Sequence, residues 1–237
     1  MSVLYELFYR PFFNALFFIY GYIAFEDLGL AIIMLTILVR LFLFPVFHKS
    51  VKHQAIMQKI QPKVREIQEA HKENREKQTK ELMNLYKEHN VNPFSGFILL
   101  LIQLPIFIGL YQVFSQKFTA KSFEALYSFV PQPMEVHATF FGLINLYESS
   151  IVLVVLAAIF QFLQGWLTLQ KAPEGKEPGM MERVSRQMVF MGPMVTVLIL
   201  WSFPSAIALY WVTTSDFSVL QQVAVMRGLN RPAQAPG

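Results

Sequence analysis

Arg40 is the residue of this sequence on which chemistry can be built. It interrupts Leu28–Phe47, LGLAIIMLTILVRLFLFPVF, which is otherwise almost entirely apolar. Such a run can cross a hydrocarbon layer of about 30 Å at about 1.5 Å per residue. A guanidinium keeps its proton, so within that layer it must be paired or reach water. Holding it near the centre of a span costs about 2.5–3.5 kcal/mol on insertion scales. Arg40 therefore either snorkels to the nearer surface or lines a wet cavity between helices. In the second arrangement it presents a fixed positive charge to acidic groups. Gln103, Gln161, Gln164, Thr213, Thr214, Ser215, Asp216 and Ser218 also stand in apolar surroundings. Each needs water or a partner on another helix. Counted along its helix, Asp216 reaches within about 5 Å of the depth of Arg40. It is expected to face the same cavity and partly neutralise the arginine; a protonated aspartate in lipid is the alternative.

Other chemistries find little support. There is no cysteine, so disulfides, thiolate metal sites and a lipidated-cysteine anchor are ruled out. Neither a phosphate-cradling glycine-rich loop nor a nucleophile–base–acid set is visible. The chain reads as a non-enzyme with no cofactor and no metal.

The elements that must position Arg40 are membrane elements. Hydrophobic residues make up 54% of the chain, with 23 Phe, against 15% charged residues. Several apolar runs approach the length of one span, so the expected class is an all-α polytopic membrane protein. Residues 1–27 carry Glu6, Arg10 and Asn14 at spacing four, one polar stripe on a helix rich in Phe. That pattern predicts a helix lying in the membrane interface, with a sixth span as the alternative. After the first span, His48–Asn92 holds ten basic residues and six Glu. Ile56, Ile60, Val64 and Ile67 form a narrow seam answered by Leu82, Leu85 and Tyr86, which predicts an antiparallel helical hairpin outside the membrane, residues 48–92. Pro62 is expected to kink or divide its first helix. The hairpin is either a solvated spacer or a docking arm. In the second case Lys59, Lys63, Arg65, Lys72, Arg75 and Lys77 would carry the contact, favouring RNA or anionic head groups.

Asn92-Pro93 predicts the start of the second span, which runs to about Phe114. An external loop with a short amphipathic helix near Ser122–Val130 follows. The third span covers roughly Glu148–Leu169, a polar loop Lys171–Arg186 follows, and the fourth is Gln187–Phe203. The fifth enters at Pro204 and ends near Met226. With five spans, the hairpin, that polar loop and the tail share one side and hold 16 of the 20 basic residues. The positive-inside rule then puts the amino terminus outside and the carboxyl terminus in the cytoplasm.

Three stretches carry a family resemblance: Leu28–Pro45, Asn90–Phe114 (NVNPFSGFILLLIQLPIFIGLYQVF) and Ser202–Gln222 (SFPSAIALYWVTTSDFSVLQQ). Together with the hairpin text QPKVREIQEAHKENREK they resemble the YidC family of membrane protein insertases, to which the mitochondrial Oxa and chloroplast Albino proteins are related. The likeness covers nearly the whole chain in order, as one insertase domain spanning residues 1–237. Arg40 matches the family's groove arginine. The chain departs from the family where Ser95–Leu99 stands, and at Asp216, where asparagine is frequent. With no large domain ahead of the first span, it resembles a minimal bacterial member or one trimmed at its start.

The resemblance implies a hydrophilic groove, open to the cytoplasm and to lipid, holding Arg40, Gln103, Gln161, Gln164, Thr214 and Asp216. It implies insertion without nucleotide hydrolysis, as a monomer in the bacterial inner membrane. The partners implied are nascent membrane proteins, the ribosome, and a Sec translocon or targeting factor. A small ion or solute transporter coupled through Arg40 and Asp216 is the alternative, although no inverted repeat is evident. A purely structural scaffold is another, for which Arg40→Ala would be silent.

Overall fold

Asp27 decides where the first long apolar run begins to coil. Its Oδ1 accepts the Leu30 N–H at 2.8 Å and caps helix α2, Leu28–Phe42. Its Oδ2 accepts the Phe141 N–H at 2.6 Å and ties a distant loop to the same corner. The computed structural model describes residues 5–169 and 180–230. Lys171, Lys176 and Arg231, counted above for the charge distribution, lie outside the described residues.

Leu28–Phe47 is not one straight helix. Pro45 cannot donate to the preceding turn, and its ring crowds the carbonyl four residues back. The chain therefore breaks at Leu43 and restarts as α3, Phe44–Ala70, turned by 70°. Pro62 does not break the chain in this way: α3 runs through it as one helix, which corrects the expected division. Helix α4, Arg75–Glu88, starts on the Asn74 side chain, whose Oδ1 accepts the Lys77 N–H at 3.0 Å. Ile60 and Val64 of α3 pack with Leu85 and Val91, flanked by Ile56, Ile67, Leu82 and Tyr86. Near the tip, His71 and Glu81 approach to 2.9 Å. The proximal half of α3 is tied to the rest of the protein. Val51 and Ala55 pack on Val225, Ser50 Oγ donates to the Ser95 carbonyl at 2.9 Å, and Gln58 Nε2 donates to the Thr168 carbonyl at 2.7 Å.

The remaining long helices are α5 (Ser95–Phe114), α6 (Ile151–Thr168), α7 (Met180–Leu200) and α8 (Ser205–Asn230). Two stretches, Phe97–Phe114 and Ile151–Thr168, are long and apolar enough to cross a membrane, and the bent α2–α3 pair makes a third if taken as one span. Helix α7 contributes a shorter apolar stretch, Arg186–Leu200. Helix α8 has the length, but a polar face lowers its hydropathy.

At the amino-terminal end, a π-helical turn, Tyr5–Tyr9, leads into α1, Arg10–Tyr22. Phe13, Leu16, Phe17 and Tyr20 of α1 are almost completely buried, in one core with Ile32 and Leu35 of α2, Leu110 and Val113 of α5, and Ile207 of α8. The stripe read as polar holds a loop in place. Asn14 donates to the Arg10 carbonyl at 2.8 Å and the Ala125 carbonyl at 3.0 Å, and accepts the Tyr127 N–H at 2.6 Å. Arg10 donates to the same Ala125 carbonyl at 3.3 Å and pairs with Glu6 at 3.4 Å. In that loop the expected amphipathic helix is a 3-10 segment, Ala120–Ala125. A two-stranded antiparallel hairpin, β1 (Thr139–Phe140) with β2 (Ile144–Asn145), follows it. Phe140 lies on α2 at Gly29, where a Cβ would run into its ring.

Candidate functional site

The turn at Leu43 determines where Arg40 acts. Arg40 stands in the last turn of a 15-residue α2, not seven residues inside a straight span. The unpaired carbonyls of a helix end carry partial negative charge there, which favours a cation. Only 6% of Arg40 is exposed. Its Nη2 donates to the Thr214 carbonyl at 3.2 Å and to Ser218 Oγ at 3.0 Å. The guanidinium carbon sits 4.4 Å from the centre of the Phe47 ring, a cation–π distance. No described carboxylate pairs with it.

Arg40 opens onto a cavity of about 730 Å³ walled by α2, α3, α5, α6, α7 and α8. Helix α8 supplies Tyr210, Trp211, Thr214, Ser215, Ser218, Gln221 and Gln222. These positions recur at intervals of three and four, so they form one face. Asp216 is two residues beyond Thr214, about 200° round the helix. It is absent from the described lining, which corrects its assignment to the groove and its pairing with Arg40. Among the described lining residues Arg40 is the only charged one.

The other expected groove residues do come together. Gln103 of α5 donates to the Tyr210 hydroxyl. Gln161 of α6 accepts from Trp211 Nε1 at 2.9 Å and from Thr196 Oγ1 at 2.5 Å. Gln164 and Thr214 complete the set. Sequence reasoning missed Tyr210, Trp211, Gln221, Gln222, Gln54 and Phe47, and noted Ser218 only as a polar residue within a span. The three-and-four spacing along α8 was the available signal. Several buried polar atoms in the wall have no partner among the described residues: Arg40 Nη1, both amide atoms of Gln221, and Gln222 Nε2. Polar atoms left unpaired in an interior are costly, and this wall can give and receive hydrogen bonds as well as attract an anion.

The basic residues of α3 and α4 are elsewhere. Lys59, Lys63, Lys72, Arg75 and Lys77 are exposed and Arg65 is half-buried. They are spread over both helices and their connection, and none lines the cavity.

The sequence model of the family described as 60Kd inner membrane protein matches residues 18–232. A Cellvibrio japonicus (strain Ueda107) protein named membrane protein insertase YidC is 36% identical over 222 residues, 94% of this chain and 36% of that protein. One of the same name from Nitratidesulfovibrio vulgaris (strain DP4) is 33% identical over 223 residues, 92% of this chain and 38% of that protein. A third, from Actinobacillus pleuropneumoniae serotype 3 (strain JL03), is 34% identical over 226 residues, 94% and 37% of the two chains. The chain thus spans little more than a third of the length of these curated relatives.

Proposed function

Because the chain belongs to the 60Kd inner membrane protein family, that of the YidC insertases, we propose that it inserts nascent membrane proteins into a bilayer through the cavity at Arg40. The observation that carries this reading is a buried cation in a cavity whose described lining holds no acid, where one guanidinium nitrogen and amide atoms of Gln221 and Gln222 have no partner among the described residues. Such a wall is best satisfied by water, and a wet half-path spares a hydrophilic tail part of the cost of crossing hydrocarbon. Arg40 attracts acidic groups of that tail across a medium of lowered dielectric. The apolar segment then leaves sideways past Leu104 and Met188, two exposed apolar residues of the cavity lining. Its burial in lipid releases about 25 cal/mol per Å². A membrane potential helps acidic groups outward by about 2.3 kcal/mol per charge per 100 mV. No nucleotide enters this scheme.

The same reading takes α2, α5, α6, α7 and α8 as five spans of a bacterial inner-membrane protein, with the amino terminus outside and the carboxyl terminus in the cytoplasm. Helix α1 then lies at the outer interface. The distal α3–α4 pair forms a cytoplasmic arm whose basic residues meet the ribosome, a targeting factor or a Sec translocon. The protein works as a monomer.

The test is insertion into proteoliposomes of a single-span client with a short acidic tail. Arg40→Ala is expected to slow it about tenfold, equivalent to about 1.4 kcal/mol, and Arg40→Lys less. An uncharged tail should insert at an unchanged rate. Full-speed insertion of the acidic tail by Arg40→Ala would refute the proposal.

A further inference from the structure

Glutamine dominates the polar part of the cavity wall. Gln54 comes from α3, Gln103 from α5, Gln161 and Gln164 from α6, and Gln221 and Gln222 from α8. Six glutamines on four helices thus bring the same functional group to the wall of one space. A primary amide is the side-chain counterpart of the peptide group, donating through nitrogen and accepting through oxygen. Gln221 and Gln222 are only 5% and 3% exposed, yet both amide atoms of the first and the nitrogen of the second have no partner among the described residues. They lie one turn beyond Ser218, which helps hold Arg40, so the amides continue the polar face of α8 away from the cation. Selecting one side chain would call for a specific charge or shape. A wall of repeated amides instead matches a repeated group with one donor and one acceptor per residue.

An extended polypeptide is such a ligand, and its unpaired backbone groups make dry hydrocarbon hostile to it. We infer that the glutamines, with Gln221 and Gln222 foremost, form a sequence-independent receptor for the extended backbone of the client, separate from the acid-selective Arg40. This rests on the insertase reading and divides its specificity in two. Arg40 sorts tails by charge. The amides hold any tail whose peptide groups are free.

The test uses two clients with the same apolar segment and neutral Gly-Ser tails, one with its tail amide nitrogens methylated. Insertion into proteoliposomes is measured relative to protein-free liposomes, and the readout is the ratio of the two accelerations. That ratio cancels any loss of folded protein. The unaltered protein should favour the unmethylated tail. Gln221→Met combined with Gln222→Met, close in volume, should cut that preference about fivefold, as expected for a lost hydrogen bond. Gln221→Asn, which keeps the amide, should retain most of it, and Arg40→Ala should leave it unchanged. An undiminished preference in the methionine variant, or its loss in Arg40→Ala, overturns the inference. If the unaltered protein accelerates neither these tails nor an acidic one, the insertase reading itself falls and takes the inference with it.

Discussion

Arg40 is held by a carbonyl, a hydroxyl and an aromatic face, and by no carboxylate among the described residues. Those partners orient the guanidinium without cancelling its charge, which an arginine needs if it is to act on something that arrives later. A carboxylate partner would have tied the cation down and weakened its pull on a passing acid. Asp216 could have played that part on depth alone. The periodicity of α8 turns it to another face, because 100° per residue puts positions two apart on nearly opposite sides. Arg40→Ala and Asp216→Asn are therefore expected to act independently: in a double-mutant cycle on insertion rate, their effects should multiply to within about twofold. A larger coupling would mean that the two side chains meet in the working protein.

At the level of elements, small polar features do the positioning. Pro45 ends α2 and redirects the chain by 70°, which brings Arg40 to the end of its helix instead of its interior. Asn14 fastens the α5–α6 loop to α1 through two hydrogen bonds, one to the Ala125 carbonyl and one from the Tyr127 N–H, and only 2% of it is exposed. Replacing it with alanine strands the Tyr127 N–H and removes a donor from the Ala125 carbonyl. Asn14→Ala should cost about 2–3 kcal/mol, read as a lower thermal midpoint in detergent. Limited proteolysis should cut near Lys117 and Lys121 sooner. Unchanged stability and cleavage would show that the loop is held by its aromatic contacts alone, those of Phe118 and Phe123 with Phe17.

For the molecule as a whole, the two long apolar helices and α2 share one core with α1 and α8, and the cavity forms on the side where the polar face of α8 meets α2, α5 and α6. The proposed orientation makes a simple prediction, helped by the absence of native cysteine. A single cysteine at Lys77, between the seam and the tip of the arm, should react with a membrane-impermeant maleimide only from the cytoplasmic face. One at Lys121 should react only from the opposite face. Labelling of both from the same side would contradict the five-span arrangement.

Periodicity and composition alone determined the helical class, the apolar runs, the α3–α4 seam and the singular position of Arg40, because those depend on residues close in sequence. They could not tell whether Pro62 or Pro45 would break the helix, since tertiary contacts along α3 decide whether a missing hydrogen bond is tolerated. Nor could they reveal that Phe13 and Phe17 belong to a core, because a helix shows the same apolar face whether that face meets lipid or protein. The composition of the cavity was beyond them as well. Depth along a helix can be counted from one segment, but which way a side chain points into a shared space depends on how six helices are rotated against one another. That rotation brought Gln221, Gln222 and Tyr210 into the cavity that Arg40 lines and left Asp216 on the far side of its helix.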